Sequence, residues 1–116
     1  MRLRKRVYVA GPLSGGDTLS GEMQLANVRA AIAAGALLME AGYAPYVPHL
    51  TYYWHERHPH SYEDWIALCL AWVAAADAVL RLPGASPGAD REVVLARERG
   101  VPVYGCLAEL LGGTPP

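Results

Sequence analysis

A carboxylate on the apolar side of a helix is an uncommon placement, and residues 89–99 carry one. Their helical spacing puts Ala89, Glu92, Val93 and Ala96 on a single stripe. If Glu92 only complemented the positive end of the helix dipole, it would contribute a few tenths of a kcal/mol to about 1 kcal/mol. Asp90 or an outward glutamate would do that equally well, so inward placement asks for a chemical reason. At the other end of the chain the stretch "VYVAGPLSGGD", Val7 to Asp17, starts as a strand and breaks into small residues and a carboxylate. Gly11, Gly15 and Gly16 would let the backbone approach a ligand closely, Ser14 can donate from its hydroxyl, and Pro12 stands among them as a further candidate binding position. A phosphate or a sugar hydroxyl is the natural guest, with Asp17 as a candidate acid or hydroxyl ligand. The stretch is neither GxGxxG nor a Walker loop with its lysine, so a Gly-rich turn that merely joins strand to helix also accounts for it.

The segment "PHLTYYWHERHPHSYEDW", residues 48–65, gathers His49, His55, His58 and His60 with Tyr52, Tyr53, Trp54, Tyr62 and Trp65. It lacks HExxH or a cysteine partner, which argues against zinc. Aromatic rings that stack on a flat ligand would make it a lid, with Trp54 as the leading contact. A solvated or subunit-contact loop is the other reading. Ser61 to Asp64 has capping-box spacing, which explains Asp64 as a helix-start residue unless it serves as an acid.

These residues need elements to position them. Short apolar runs at Arg6 to Ala10, Tyr43 to Val47, Ala78 to Leu82 and Val101 to Tyr104 read as strands. Helical spacing occupies Gly21 to Ala41, with Met23, Ala26, Ala30, Leu37 and Ala41 on one side, then Ser61 to Ala75, Ala89 to Arg99 and Leu107 to Leu111. Strands alternating with helices, without hairpin turns, imply an α/β fold. The expected form is a flavodoxin-like or Rossmann-like three-layer sandwich whose mostly parallel sheet has about four to five strands. In such sheets ligands bind at the carboxyl ends of the strands, where the first loop and the helix bearing Glu92 both begin. Residues 48–60 form the one long connection. Asn27 is expected to brace a loop, Trp72 to sit in the core, and Asp77 to close a turn at a strand start.

Composition narrows the partners. The 116 residues are 53% hydrophobic and 18% charged, which suits one domain over residues 1–116. A net charge of −1 supplies no strong positive field, so polymeric nucleic acid is not an expected partner. No apolar run approaches the roughly 20 residues of a membrane span, and no membrane contact is expected. "MRLRKR" runs into strand residues too soon for a signal or transit peptide. Cys69 and Cys106, without CxxC spacing, suit buried thiols in a cytoplasmic protein.

Three stretches together resemble the nucleoside 2-deoxyribosyltransferase superfamily: Tyr-x-x-Gly at Tyr8 to Gly11, the "AD" ending at Asp77, and Ser-x-Gly-Ala-x-x-Glu-x-x-x-Ala at Ser86 to Ala96. The likeness covers most of the chain and is closest to small members of unknown function related to 2'-deoxynucleoside 5'-monophosphate N-glycosidases. It implies Glu92 as nucleophile, Tyr8 as its orienting partner, and Gly/Ser loops, here with Ser86 and Gly88, holding sugar and phosphate. A nucleoside or nucleoside monophosphate is the implied ligand, without cofactor or metal, in a homodimer or larger homo-oligomer. Exposed-looking apolars such as Leu50, Tyr53 and Trp54 suit such an assembly. Cleavage of an N-glycosidic bond builds positive charge on the anomeric carbon, which an apposed carboxylate stabilises or captures. The departure from the pattern lies in the acid: eight residues before Asp77, where active relatives carry aspartate, stands Cys69. Asp64 is the nearest acidic candidate, but five helical residues rotate it by roughly 140° from Cys69. The chain is therefore expected to cleave or transfer a glycosyl bond, or else to bind nucleotide without turnover.

Overall fold

The computed structural model describes residues 2–13 and 21–112. Four strands, β1 (Arg6–Ala10), β2 (Ala44–Tyr46), β3 (Ala78–Arg81) and β4 (Val103–Tyr104), form one parallel sheet in the order β2-β1-β3-β4. Val7 to Ala10 of β1 are all buried, because a central parallel strand is covered on both faces. Side chains alternate between those faces. Val7, Val9 and Leu80 pack with α1 (Gly21–Glu40) and α5 (Leu107–Leu111) through Ala31, Leu38 and Leu110. Tyr8, Ala10 and Val79 pack on the other face with α3 (Tyr62–Ala74) and α4 (Pro87–Glu98) through Cys69, Val73, Ala89 and Ala96. The result is the expected three-layer α/β sandwich of flavodoxin-like topology. Its strand order reverses at β1, which leaves a crevice beyond the carboxyl ends of β1 and β3.

Helix starts follow their caps. Ser61 Oγ accepts from the Asp64 N–H at 3.1 Å to open α3, and Ser86 Oγ accepts from the Ala89 N–H at 3.1 Å to open α4, with Pro87 at its first position. Helix α4 therefore begins two residues earlier than the apolar spacing suggested. Asp77 takes the Arg6 N–H at 2.7 Å and pairs with its guanidinium at 3.7 Å, tying β3 to β1 at the amino end of the sheet.

Several expectations need correction. The buried side of α1 is Val28, Ala31, Gly35 and Leu38, whereas Met23, Ala26, Ala30, Leu37 and Ala41 are exposed. An alanine-rich helix is apolar on both faces, so periodicity alone could not choose one. The choice falls to Gly35, where an added Cβ would lie 2.8 Å from Val47 Cγ2. Nor is the stretch 48–60 an irregular loop: a 3-10 turn at Pro48–Leu50 runs into α2 (Thr51–Arg57). Its β-branched and aromatic residues have modest helix propensity and its start has no side-chain cap, so tertiary packing sustains it. Trp72 is 48% exposed and stacks on Tyr46 instead of entering the core. Cys69 is buried as expected, but Cys106 is exposed. Among the described residues, no helix is long and apolar enough to cross a membrane.

Candidate active site

A cavity of about 740 Å³ opens at the carboxyl end of the sheet. Gly11 and Leu13 beyond β1, His49 of the 3-10 turn, Tyr52 and His55 of α2, Trp65 and Cys69 of α3, and Ser86, Gly88 and Glu92 of α4 contribute to its wall. That volume falls in the range of small-molecule sites. Gly88 is closely approached: a Cβ there would lie 3.2 Å from Tyr62 Oη and 3.3 Å from Ile66 Cδ1, so a larger residue would need those side chains to give by a few tenths of an ångström.

At its inner end the Tyr8 hydroxyl donates a hydrogen bond to Glu92 Oε2, with Tyr8 fully buried and Glu92 5% exposed. The two residues lie 84 positions apart in the chain and meet because β1 and α4 pack on one face of the sheet. Burial pushes the Glu92 carboxyl up to about 7; the Tyr8 hydroxyl and the Arg81 charge pull the other way. Tyr8 is driven far above the ordinary tyrosine value, first by burial and then by the neighbouring Glu92 charge, so it remains a donor. Cys69 lies within hydrogen-bonding reach of Tyr8, and burial raises its thiol to about 11. Thus the position read as the missing acid does adjoin the carboxylate, and it holds a protonated thiol.

Two residues that sequence reasoning passed over support this group. Arg81, at the end of β3, donates to the Leu82 carbonyl, to the Gly84 carbonyl at 2.9 Å and to Asp90 Oδ1 at 3.3 Å. A charged residue at the end of the apolar strand "AVLR" was its signal. His49, grouped with the other loop histidines, is 2% exposed and bonds the Pro12 carbonyl through Nε2 at 3.1 Å. Carbonyl acceptance makes Nε2 the protonated nitrogen, and Nδ1 has no partner among the described residues. Burial lowers the His49 pKa despite the Pro12 and Gly11 carbonyls, so the ring stays neutral and pins the end of β1 to the turn before α2.

The remaining sequence candidates divide. Gly11, Ser86 and Gly88 line the cavity; Pro12 is outside its wall, its carbonyl accepting from His49 and its ring lying against Gly84. Ser14, Gly15, Gly16 and Asp17 lie outside the described residues. Asp64 is exposed in the first turn of α3 and outside the cavity wall, so the structure does not bring it to Glu92. Trp54 is also outside the wall: 52% exposed, it meets Trp65 edge-on at 5.2 Å, while Tyr52 of the same helix lines the cavity. Asn27 braces the first loop as expected, donating to the Leu13 carbonyl at 3.0 Å. His55 and His60 cluster on Trp65. His55 Nδ1 accepts from Trp65 Nε1 at 2.8 Å and from the His60 N–H at 3.2 Å, which fastens α2 to α3. Among the described residues no group of three or more His, Cys, Asp or Glu side chains is placed to hold a metal ion.

Fold and site together define a flavodoxin-like α/β domain with a buried tyrosine–carboxylate pair below a crevice at the sheet's carboxyl edge. The chain belongs to the family described as a domain of unknown function, DUF4406, which matches residues 5–104. No curated protein matches the sequence. Among solved structures it is similar to the 2-deoxyribosyltransferase of the psychrotolerant bacterium Bacillus psychrosaccharolyticus, at 18% identity and a TM-score of 0.58, over 84% of this chain and 69% of that one. That enzyme is described as a biocatalyst for nucleoside synthesis; the likeness establishes a shared fold.

Proposed function

We propose that the chain binds a nucleoside or nucleoside monophosphate in this cavity and breaks its N-glycosidic bond, passing the glycosyl group to water or to a second base. The observation that carries this reading is the buried hydrogen bond from Tyr8 to Glu92 Oε2 in a cavity of nucleoside size. With Oε2 engaged, Oε1 is left as the attacking oxygen. It forms a bond to the anomeric carbon while the carbon–nitrogen bond breaks and the base departs with the electron pair. The base must gain a proton. A thiol raised to about 11 is a weak donor, so Cys69 makes this step slow. Attack on the anomeric carbon by water or by the acceptor base then breaks the bond to Oε1 and frees the carboxylate, and the proton lost by the attacking group returns to the Cys69 thiolate.

Incubation with nucleosides and their 5'-monophosphates, with chromatography for free base, tests the reading. Glu92→Gln should abolish base release and leave ligand affinity within about twofold, because the amide keeps the shape without the nucleophilicity. Cys69→Asp should raise the rate by about tenfold or more, within the range general acids contribute. Turnover that survives Glu92→Gln would overturn the nucleophile assignment. Binding without turnover in all three proteins would assign the chain to nucleotide binding alone.

A further inference from the structure

Tyr8 and Tyr46 are register partners on the parallel strands β1 and β2, so their side chains leave the same face of the sheet side by side. Their rings stack with centroids 5.7 Å apart and planes 24° apart. Tyr46 in turn stacks with Trp72 of α3 at 5.2 Å and 23°. Among the described residues no ring contact joins Tyr8 directly to Trp72, so Tyr46 is the link in a series that runs from the buried site to the surface. The other cross-strand neighbour of Tyr8 is Val79 on β3, which offers no flat face. The plane that limits the tilt of the Tyr8 ring therefore comes from Tyr46. Trp72 lies three residues, about one helical turn, after Cys69, so the same stack anchors the turn of α3 that brings Cys69 to Tyr8.

We propose that Tyr46 is a positioning residue: backed by Trp72, it holds the Tyr8 ring at the tilt from which the hydroxyl reaches Glu92 Oε2. It lies outside the cavity wall, so it acts through Tyr8 and not on the ligand. The hydroxyl is the part of the side chain farthest from the backbone. A small tilt of the ring moves it most, and a hydrogen bond weakens steeply as distance and angle depart from their optimum. The titratable and charged groups within electrostatic reach of Glu92 are Tyr8 from β1, Tyr46 from β2, Cys69 from α3 and Arg81 from β3. The Tyr8 bond favours the ionised carboxylate, so loosening it raises the pH at which Glu92 ionises. The inference rests on the Tyr8–Glu92 pair of the proposed glycosyl chemistry, but its effect is read without turnover.

Carbon-13 NMR of the full chain, labelled at the glutamate carboxyls, reads the titration midpoint of Glu92, whose resonance is the one lost in Glu92→Gln. Tyr46→Leu keeps an apolar side chain and removes the ring plane. It should raise the midpoint by about half a pH unit or more and, where base is released, lower that rate about threefold at pH 6. Tyr46→Phe keeps the ring and should keep the parent midpoint. Leu38→Ala, in the core on the other face of the sheet, should lower stability and leave the midpoint in place. Trp72→Leu, at the half-exposed end of the stack, should give a smaller rise than Tyr46→Leu. An unmoved midpoint in Tyr46→Leu would overturn the inference, and Trp72→Leu decides in the same way should Tyr46→Leu not fold. An equal rise in Tyr46→Phe would overturn it in favour of the Tyr46 hydroxyl, and an equal rise in Leu38→Ala in favour of general loosening. A midpoint that rises as expected in a chain releasing no base would sink the glycosyl reading and leave the positioning role standing.

Discussion

Glu92 holds a carboxyl raised to about 7 in the folded chain, against an ordinary value of 4.5, and that displacement has two measurable consequences. Attack on an anomeric carbon requires the ionised form, so base release should rise with pH through about 7. Replacing Tyr8 with Phe removes a hydrogen bond that favours ionisation. The rate at pH 7 should fall, and the rising limb of the pH profile should move upward. Stability follows the opposite sign. Between 4.5 and 7 the native state holds a proton that the unfolded state has released, so the Glu92 contribution is most favourable below 4.5 and is lost as pH rises through 7. Glu92→Gln removes the buried charge. It should therefore stabilise the chain by about 1–3 kcal/mol at pH 8, with the gain vanishing below about pH 4.5, as read by urea unfolding at both pH values. A stability loss at pH 8 would instead fit a carboxylate that serves only the helix terminus.

Two short elements carry the site's geometry. The Ser86 cap fixes where α4 begins and hence where Glu92 falls along the cavity. Ser86→Ala should cost about 1 kcal/mol, and base release should fall as the first turn loosens. A drop in melting temperature without a kinetic effect would make the cap purely structural. Helix α2 is held by His55, Trp65 and ring contacts more than by its own propensity. Within it Tyr52 faces the cavity, while Trp54 leans on Trp65. Tyr52→Ala should weaken nucleoside binding by about 1–3 kcal/mol, the measured range for base–aromatic stacking. Trp54→Ala should act through the stability of α2, with a smaller effect on affinity. Titration calorimetry on the two variants separates them, and equal losses would return Trp54 to the ligand contact.

At the scale of the whole molecule, ligand and fold are linked through the crevice, because α4, α2 and the end of β1 all border it. A nucleoside that binds only the native state should raise the unfolding free energy by about 3 kcal/mol when present at a hundred times its dissociation constant. Thermal melts with a panel of nucleosides and 5'-monophosphates give that ranking before any activity is sought. An unchanged melting temperature across the panel would count against the cavity as a nucleoside site.

The sequence by itself determined the order of the four strands and of the helices other than α2, because parallel strands leave continuous apolar runs and those helices leave their own period. It also marked Glu92, since a carboxylate within the Ala89, Val93 and Ala96 stripe breaks a local rule. The resemblance to the deoxyribosyltransferases implied position 69 as the place of the acid, and Cys69 does stand beside Tyr8 and Glu92. Only the tertiary structure decided which face of α1 is buried: alanines satisfy either side, and Gly35 against Val47 is a contact between elements. Helix α2 was illegible because its stabilising contacts come from α3. His49 was hidden among neighbouring histidines until burial separated it from them, since accessibility is a property of the packed chain. Asp64 and Trp54 had the right chemistry but point away from the cavity, because a turn of helix sets direction and composition does not.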